Sequence, residues 1–251
     1  MTTPKARYDI RRCTMTKPIS IYELEGGPHQ FFSPFCWAAR FAIAHKEIPI
    51  DTIRWKFQEG DKIAFSKQGL VPVIVDPNQD GKWVNDSWAI AKYLEETYPD
   101  RPSLFGGPQG EVAALLVQKW FNSGPIVALM KIVILDIMKA QTTPELQLWF
   151  RETREAKFGK LEEFSTGAAG VPDFQKALEP LRQTLSEYPY LGGKAGPSYA
   201  DHYIASMFML AYALSPVKLL EKDDVIYAWR ERMMSAYGGM GKNAVGHPES
   251  L

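Results

Sequence analysis

Cysteine is the scarcest informative residue in this chain of 251 residues, with two copies, Cys13 and Cys36. That excludes a disulfide scaffold and any cysteine-ligated metal centre. Charge of one sign is not in excess either: 29 Lys plus Arg face 29 Asp plus Glu. No basic surplus is present to neutralise a polyanion, so general nucleic-acid binding is not expected. Long apolar runs are missing too. The most apolar stretch, Pro125 to Ala140, spans 16 residues and contains Lys131 and Asp136, too short and too charged to cross a bilayer. His29, His45, His202 and His247 show no metal-ligand spacing, and no metal is expected. No phosphate-cradling G-x-x-x-x-G-K-[ST] and no G-x-S-x-G elbow occurs.

What is present divides in two. The N-terminus, MTTPKARYDIRRCTMTKP, is basic but has no apolar stretch, and residues 1–17 read as a flexible leader. A cytoplasmic location is the default expectation. Residues 18–101 then alternate strand and helix. Ile19–Leu24 is apolar and β-branched, a strand. Ser33–Lys46 is a helix with a Ser-Pro start. Ile48–Trp55 is a second strand, and Gly60–Lys67 a weak helix or irregular turn. Pro72–Val75 and Lys82–Val84 flank Asp76–Gly81 (DPNQDG), which predicts a hairpin. Ser87–Tyr98 is a helix stopped by Pro99. This β-α-β-α-β-β-α order is about the size of a small α/β domain. Residues 102–110, rich in Pro and Gly, read as a linker. Residues 111–238 are helical throughout and predict an all-α bundle, with helices over Glu111–Lys139, Pro144–Phe164, Asp173–Glu187, Ser198–Leu214 and Lys222–Tyr237. A break is expected at Gly124-Pro125. Residues 239–251 read as a loose tail.

Few side chains offer chemistry. Ser33 sits where the first strand hands over to the first helix. Its hydroxyl and Pro34 make good capping chemistry, and that alone accounts for the pair. The same helix N-terminus also favours an anion, to which a serine hydroxyl could donate. Cys36 follows three residues later, and Ser33 stands where a C-x-x-C pair would place its reactive thiol. A dithiol cycle is therefore excluded at this motif, and Cys36 reads as a buried, inert thiol. Val71-Pro72 precedes a strand; a trans proline is the ordinary expectation, a cis bond the functional alternative. Asp86 is a helix cap or, with Ser87, a grip for a ligand's charged end. Ser198 and Asp201 have capping-box spacing and read as structural, nucleating a buried helix. Met207 and Met209 read as core.

In order, these motifs resemble a cytosolic glutathione S-transferase over nearly the whole chain after residue 17. Within it they resemble the serine-type subgroup that includes bacterial lignin β-etherases and related fungal transferases. The segments that carry the likeness are SPFCW (33–37), VPVIVD (71–76), WVNDSW (83–88), YLEETYPDRPSLF (93–105), Gly124-Pro125 with ILD (134–136), RETREAKFG (151–159), LEPLRQTL (178–185) and LGGKAGPSYAD (191–201). The resemblance implies a thioredoxin-like glutathione-binding domain followed by an all-helical domain. It implies glutathione as co-substrate, Ser33 as catalytic donor to its thiolate, Val71 ahead of a cis Pro72 as its backbone partner, and Asp86 with Ser87 at its γ-glutamyl end. An acceptor pocket would lie between the domains, with Phe32, Ile126 and Met130 in its lining and a hydrophobic small molecule as substrate. A homodimer is expected by the same route. Tyr22, near the end of the first strand, rivals Ser33. Leu70 stands where relatives often carry Gln or Lys, which leaves Lys56, Lys62 and Lys67 as candidates for the glycine carboxylate. Two other functions fit the resemblance: a non-catalytic glutathione-dependent carrier, and a glutathione-linked reductase using Cys36.

Overall fold

The computed structural model describes residues 16–250. Cys13 and most of the leader lie outside the described residues. The first unit contains four strands, β1 (Ile19–Leu24), β2 (Ile50–Trp55), β3 (Val73–Asp76) and β4 (Lys82–Asn85), in the order β2-β1-β3-β4. β1 and β2 are parallel, while β1–β3 and β3–β4 are antiparallel. Two helices complete the unit, α1 (Pro34–His45) and α2 (Ser87–Thr97). Ile19, Ile21 and Ile74 are fully buried on one face of the sheet, and Val73, adjacent to Ile74 and so on the other face, is fully buried too, which shows that both faces are covered at β3. Gly60–Ser66 is a 3-10 helix, ended by Lys67 in the left-handed region.

Asp76 ends β3 fully buried and accepts hydrogen bonds from the Tyr93 and Tyr98 hydroxyls at 2.8 and 2.5 Å. It also caps the hairpin through the Asn78 amide. Asp80 and Gly81 turn the hairpin at positive φ.

The second unit is all helix: α3 (Pro108–Ser123), α4 (Pro125–Lys139), α5 (Pro144–Phe158), α6 (Leu161–Phe164), α7 (Val171–Ala177), α8 (Glu179–Glu187), α9 (Tyr199–Leu214) and α10 (Val225–Gly239). The chain bends by 52° between α3 and α4, where Pro125 has no N–H to continue the ladder. Two expected helices are each split. Gly159, at φ 75°, ends α5, so Pro144–Phe164 is not one helix. Pro180 removes a donor within 173–187, and α7 stops at Ala177 before α8 begins. α3 begins three residues ahead of the expected Glu111, within the proline- and glycine-rich segment.

Every residue of α9 is buried, so it is the central helix of this unit. Its capping box is formed: Asp201 accepts from the Ser198 amide and hydroxyl, from the Leu191 and Gly192 amides, and from Trp229 Nε1. α1 packs across the domain boundary on α9. The segment expected to be a loose tail is packed. The His247 amide donates to the Tyr212 carbonyl at 2.8 Å, and Gly241 and Gly246 lie tight against Met234 and Tyr212. Among the described residues no single helix is long and apolar enough to cross a membrane.

Candidate active site

The site is built from the end of the sheet. In the β1–β3 register Tyr22 faces Val73, and in the β3–β4 register Val73 faces Asn85. Leu24, Val71 and Ser87 each lie two residues beyond this last paired row, at one end of the sheet. The Val71–Pro72 bond is cis. Val71 precedes the ladder, and among the described residues no backbone group pairs with its N–H or C=O.

Ser33 arrives at the same end as the cap of α1. Its Oγ accepts from the Cys36 amide at a long 3.4 Å, and its carbonyl accepts from the Trp37 amide at 3.0 Å. Ser33 is buried, and among the described residues no hydrogen bond of ordinary geometry takes up its hydroxyl proton, although the hydroxyl lies near enough to the Cys36 thiol to act on it as a donor and lower its pKa. Pro34 has no N–H, so among the described residues the Phe35 amide is left free at this helix N-terminus, beside the Ser33 hydroxyl.

A cavity of about 520 Å³ opens between the two units. Its lining includes Leu24, Phe32, Ser33, Pro34, Phe35 and Val71 from the first unit, and Ile126, Met130, Ile134, Phe150 and Leu210 from the second. The lining is overwhelmingly apolar, as ligand pockets are. Ser33, Val71, Phe32, Ile126 and Met130 thus come together. Pro72, Asp86 and Ser87 do not line the cavity. Asp86 is exposed, at φ 70°, and one carboxylate oxygen accepts from the Trp88 and Ala89 amides at 3.0 Å, so it caps α2. Ser87 is buried beside it.

The rivals sit elsewhere. Tyr22 is half-buried on the opposite face of β1 from Ile21, packs on the Phe65 ring at 5.6 Å and does not line the cavity. Cys36 is buried, and desolvation, with the Glu23 carboxylate adding to it, pushes its thiol up to about 12. Glu23 is itself fully buried and paired with Arg40, which lies over the rings of Phe31 and Trp37. Of the three lysines, Lys62 is paired with Glu59 at 2.7 Å, and none of Lys56, Lys62 and Lys67 lines the cavity. His29 donates its amide to Glu25 and does not line the cavity. Among the described residues no group of three metal-ligating side chains occurs.

Sequence reasoning missed the α5 wall: Trp149, Phe150, Arg154, Lys157 and Phe158. The signal was the i, i+4, i+8 spacing of Phe150, Arg154 and Phe158, which puts these side chains on one helix face.

A thioredoxin-like unit facing an all-helical unit across an apolar cavity is the two-domain architecture of a thioredoxin-superfamily protein. Residues 32–97 match the model of the glutathione S-transferase N-terminal domain, and residues 114–235 that of the glutathione S-transferase C-terminal domain. The chain belongs to the glutathione S-transferase family. Among solved structures it is similar to glutathione transferase GSTFuA3 of Phanerochaete chrysosporium, at 26% identity and a TM-score of 0.70, over 90% of this chain and 94% of that one. It is also similar to the glutathione S-transferase CsGST63524 of Ceriporiopsis subvermispora, solved in complex with glutathione, at 25% identity and a TM-score of 0.76, over 88% of this chain and 98% of that one. Glutaredoxin 2 of Salmonella typhimurium shares the fold at 17% identity and a TM-score of 0.65, over 89% of this chain and 96% of that one.

Proposed function

We propose that this chain is a serine-type glutathione transferase acting on hydrophobic or aromatic electrophiles, with Ser33 as the hydrogen-bond donor to the glutathione thiolate. The observation that carries the reading is the Ser33 hydroxyl: buried, at a helix N-terminus and on the cavity wall, where its proton can turn from the neutral Cys36 thiol to an entering thiolate. Val71, with its backbone N–H and C=O unpaired, suits the cysteinyl unit of a bound peptide thiol. Asp86 keeps one carboxylate oxygen free of capping and, with Ser87, would meet the γ-glutamyl end.

The energetics suffice. A free thiol has a pKa of about 8.5, and lowering it by about two units takes ~2.7 kcal/mol of preference for the anion. One hydroxyl hydrogen bond to a charged group contributes ~1.5–3 kcal/mol, and the helix N-terminus adds ~0.3–1 kcal/mol. The thiol proton goes to solvent. The thiolate sulfur then forms a bond to the electrophilic carbon, and the carbon–halogen or carbon–oxygen bond breaks with its electron pair leaving on halide or aryl oxide. With a β-aryl ether beside a ketone, that step is ether cleavage. A cytoplasmic homodimer with a role in detoxification belongs to the same reading.

The test is turnover of an activated aryl halide and of a keto-aryl ether with glutathione, in wild type, Ser33→Ala, Tyr22→Phe and Cys36→Ser. Loss in Ser33→Ala alone supports the reading. Loss in Tyr22→Phe with Ser33→Ala unchanged moves the donor to tyrosine. Tight glutathione binding without turnover of either substrate favours the carrier. Loss confined to Cys36→Ser favours the reductase, against which the burial of that thiol stands.

A further inference from the structure

The cavity is polarised. Ser33 and the start of α1 lie on one wall, and Arg154 and Lys157 lie on the α5 wall, one helical turn apart on the same face. Apart from Ser33 and Gln141 the rest of the lining is apolar, and none of it is acidic. The Gln141 side-chain amide is engaged with the Ile137 carbonyl at 2.9 Å.

Neither cation is neutralised. Among the described residues no carboxylate lies within ion-pair distance of Arg154 or Lys157. Arg151, on the same helix, is by contrast held by Glu155 and Glu162 at 2.8 and 2.7 Å. Arg154 donates to the Thr153 hydroxyl at 2.9 Å, and its guanidinium lies over the Phe150 and Trp149 rings at 4.7 and 5.4 Å. A partly desolvated guanidinium that keeps its charge and lacks a counter-ion gains from an anion entering beside it. The two rings that flank it also suit an aryl group.

We infer that the acceptor taken by this cavity is an amphipathic aromatic anion, with its carboxylate or sulfonate held by Arg154 and Lys157 and its apolar body along Ile126, Met130 and Phe150. This rests on the transferase reading for its chemistry, since the anion on the α5 wall would orient the electrophilic carbon toward Ser33. A carboxylate of glutathione is the other source of negative charge, and the experiment separates the two.

The probes are 1-anilinonaphthalene-8-sulfonate and N-phenyl-1-naphthylamine, which share a ring skeleton and differ in the anion. Binding of each is followed by fluorescence in wild type and in the Arg154→Gln/Lys157→Gln double variant, and glutathione binding by calorimetry. The expected result is about a tenfold or greater rise in Kd for the sulfonate, with the neutral probe and glutathione within about twofold. Added KCl should weaken sulfonate binding to wild type and leave the neutral probe unchanged. That arm needs no variant, and Lys157→Gln, at an exposed position, serves if the double variant folds poorly. Equal loss of both probes overturns the inference, as does loss of glutathione binding with the sulfonate unaffected. Failure of the transferase reading looks different: the sulfonate preference persists while Ser33→Ala leaves turnover unchanged.

Discussion

The Nε2 of His202, on α9, lies 2.7 Å from the Tyr237 hydroxyl, and that hydroxyl lies 2.9 Å from His45 Nδ1 on α1, across the domain boundary. His45 Nε2 is 3.0 Å from the Ser103 carbonyl, which can only accept. His45 therefore carries its proton on Nε2, and Tyr237 donates to Nδ1. Tyr237 then accepts from His202 Nε2–H, and His202 Nδ1 is bare and buried without a partner. Burial lowers the pKa of both histidines, that of His202 well below its ordinary value. Lys46 lowers His45 further and His45 lowers His202, while the hydrogen bond to the Ser103 carbonyl, Glu95 and Asp201 act on His45 in the opposite sense.

The sign follows from proton counting. The unfolded chain binds protons at these positions below about pH 6.5, where the folded chain resists them. The stabilisation is complete above pH 6.5 and is lost as pH falls from there towards the folded pKa values. His202 contributes up to ~1.4 kcal/mol per pH unit, and half-exposed His45 less. Urea midpoints from pH 8 to 5 should fall in wild type and fall less in His202→Asn, which will be the less stable protein at pH 8. Parallel profiles for the two proteins would remove His202 as the source.

Ser33→Ala removes a hydroxyl that accepts a capping bond already long at 3.4 Å, so its cost in stability should be under about 1 kcal/mol. On the proposed reading its cost in chemistry is larger. The pH profile of turnover should shift upward by about one to two units, and kcat at neutral pH should fall about tenfold to a hundredfold. A loss of activity with no shift in the pH profile would point to a structural role for Ser33.

Cys36 should resist alkylation in the native protein. Its thiol is buried and pushed up to about 12, so the thiolate fraction at pH 7.5 is negligible. Peptide-resolved mass spectrometry after iodoacetamide treatment should find Cys36 free in native protein and modified in urea. Rapid native labelling would contradict the burial.

How much of this was legible follows from which signals are local. β1, α1 and the Asp76–Gly81 turn depend on periodicity and turn formers within a few residues, and they read directly from sequence. The capping box at Ser198 and Asp201 reads for the same reason, although the further donors to Asp201, Leu191, Gly192 and Trp229, come from segments that only the fold brings together. The splits at Gly159 and Pro180 were visible as residues, yet the apolar period continued through both and outweighed them. On the cavity wall, Ser33 and Val71 stand out because each neighbours a proline. Arg154 and Lys157 do not, because a cation on a charged helix reads as solvated until the opposite wall is in place.

The close of the chain shows the same limit and yields a final prediction. Residues 240–250 hold two Gly and one Pro among eleven residues and carry no periodic signal, so they read as loose. They are held instead by close approach. A Cβ on Gly246 would lie 2.5 Å from both the Tyr212 ring and the Tyr212 carbonyl, and one on Gly241 would lie 2.9 Å from the Met234 Cα. Neither backbone atom can step aside without moving α9 or α10. Gly246→Ala should therefore destabilise the protein by ~1–3 kcal/mol, the usual cost of overpacking. Gly60→Ala is the control, since nothing lies within 4 Å of its Cβ position. Chemical denaturation of both variants checks this: a loose tail would make Gly246→Ala as silent as the control, whereas a packed one separates them by a clear shift in midpoint.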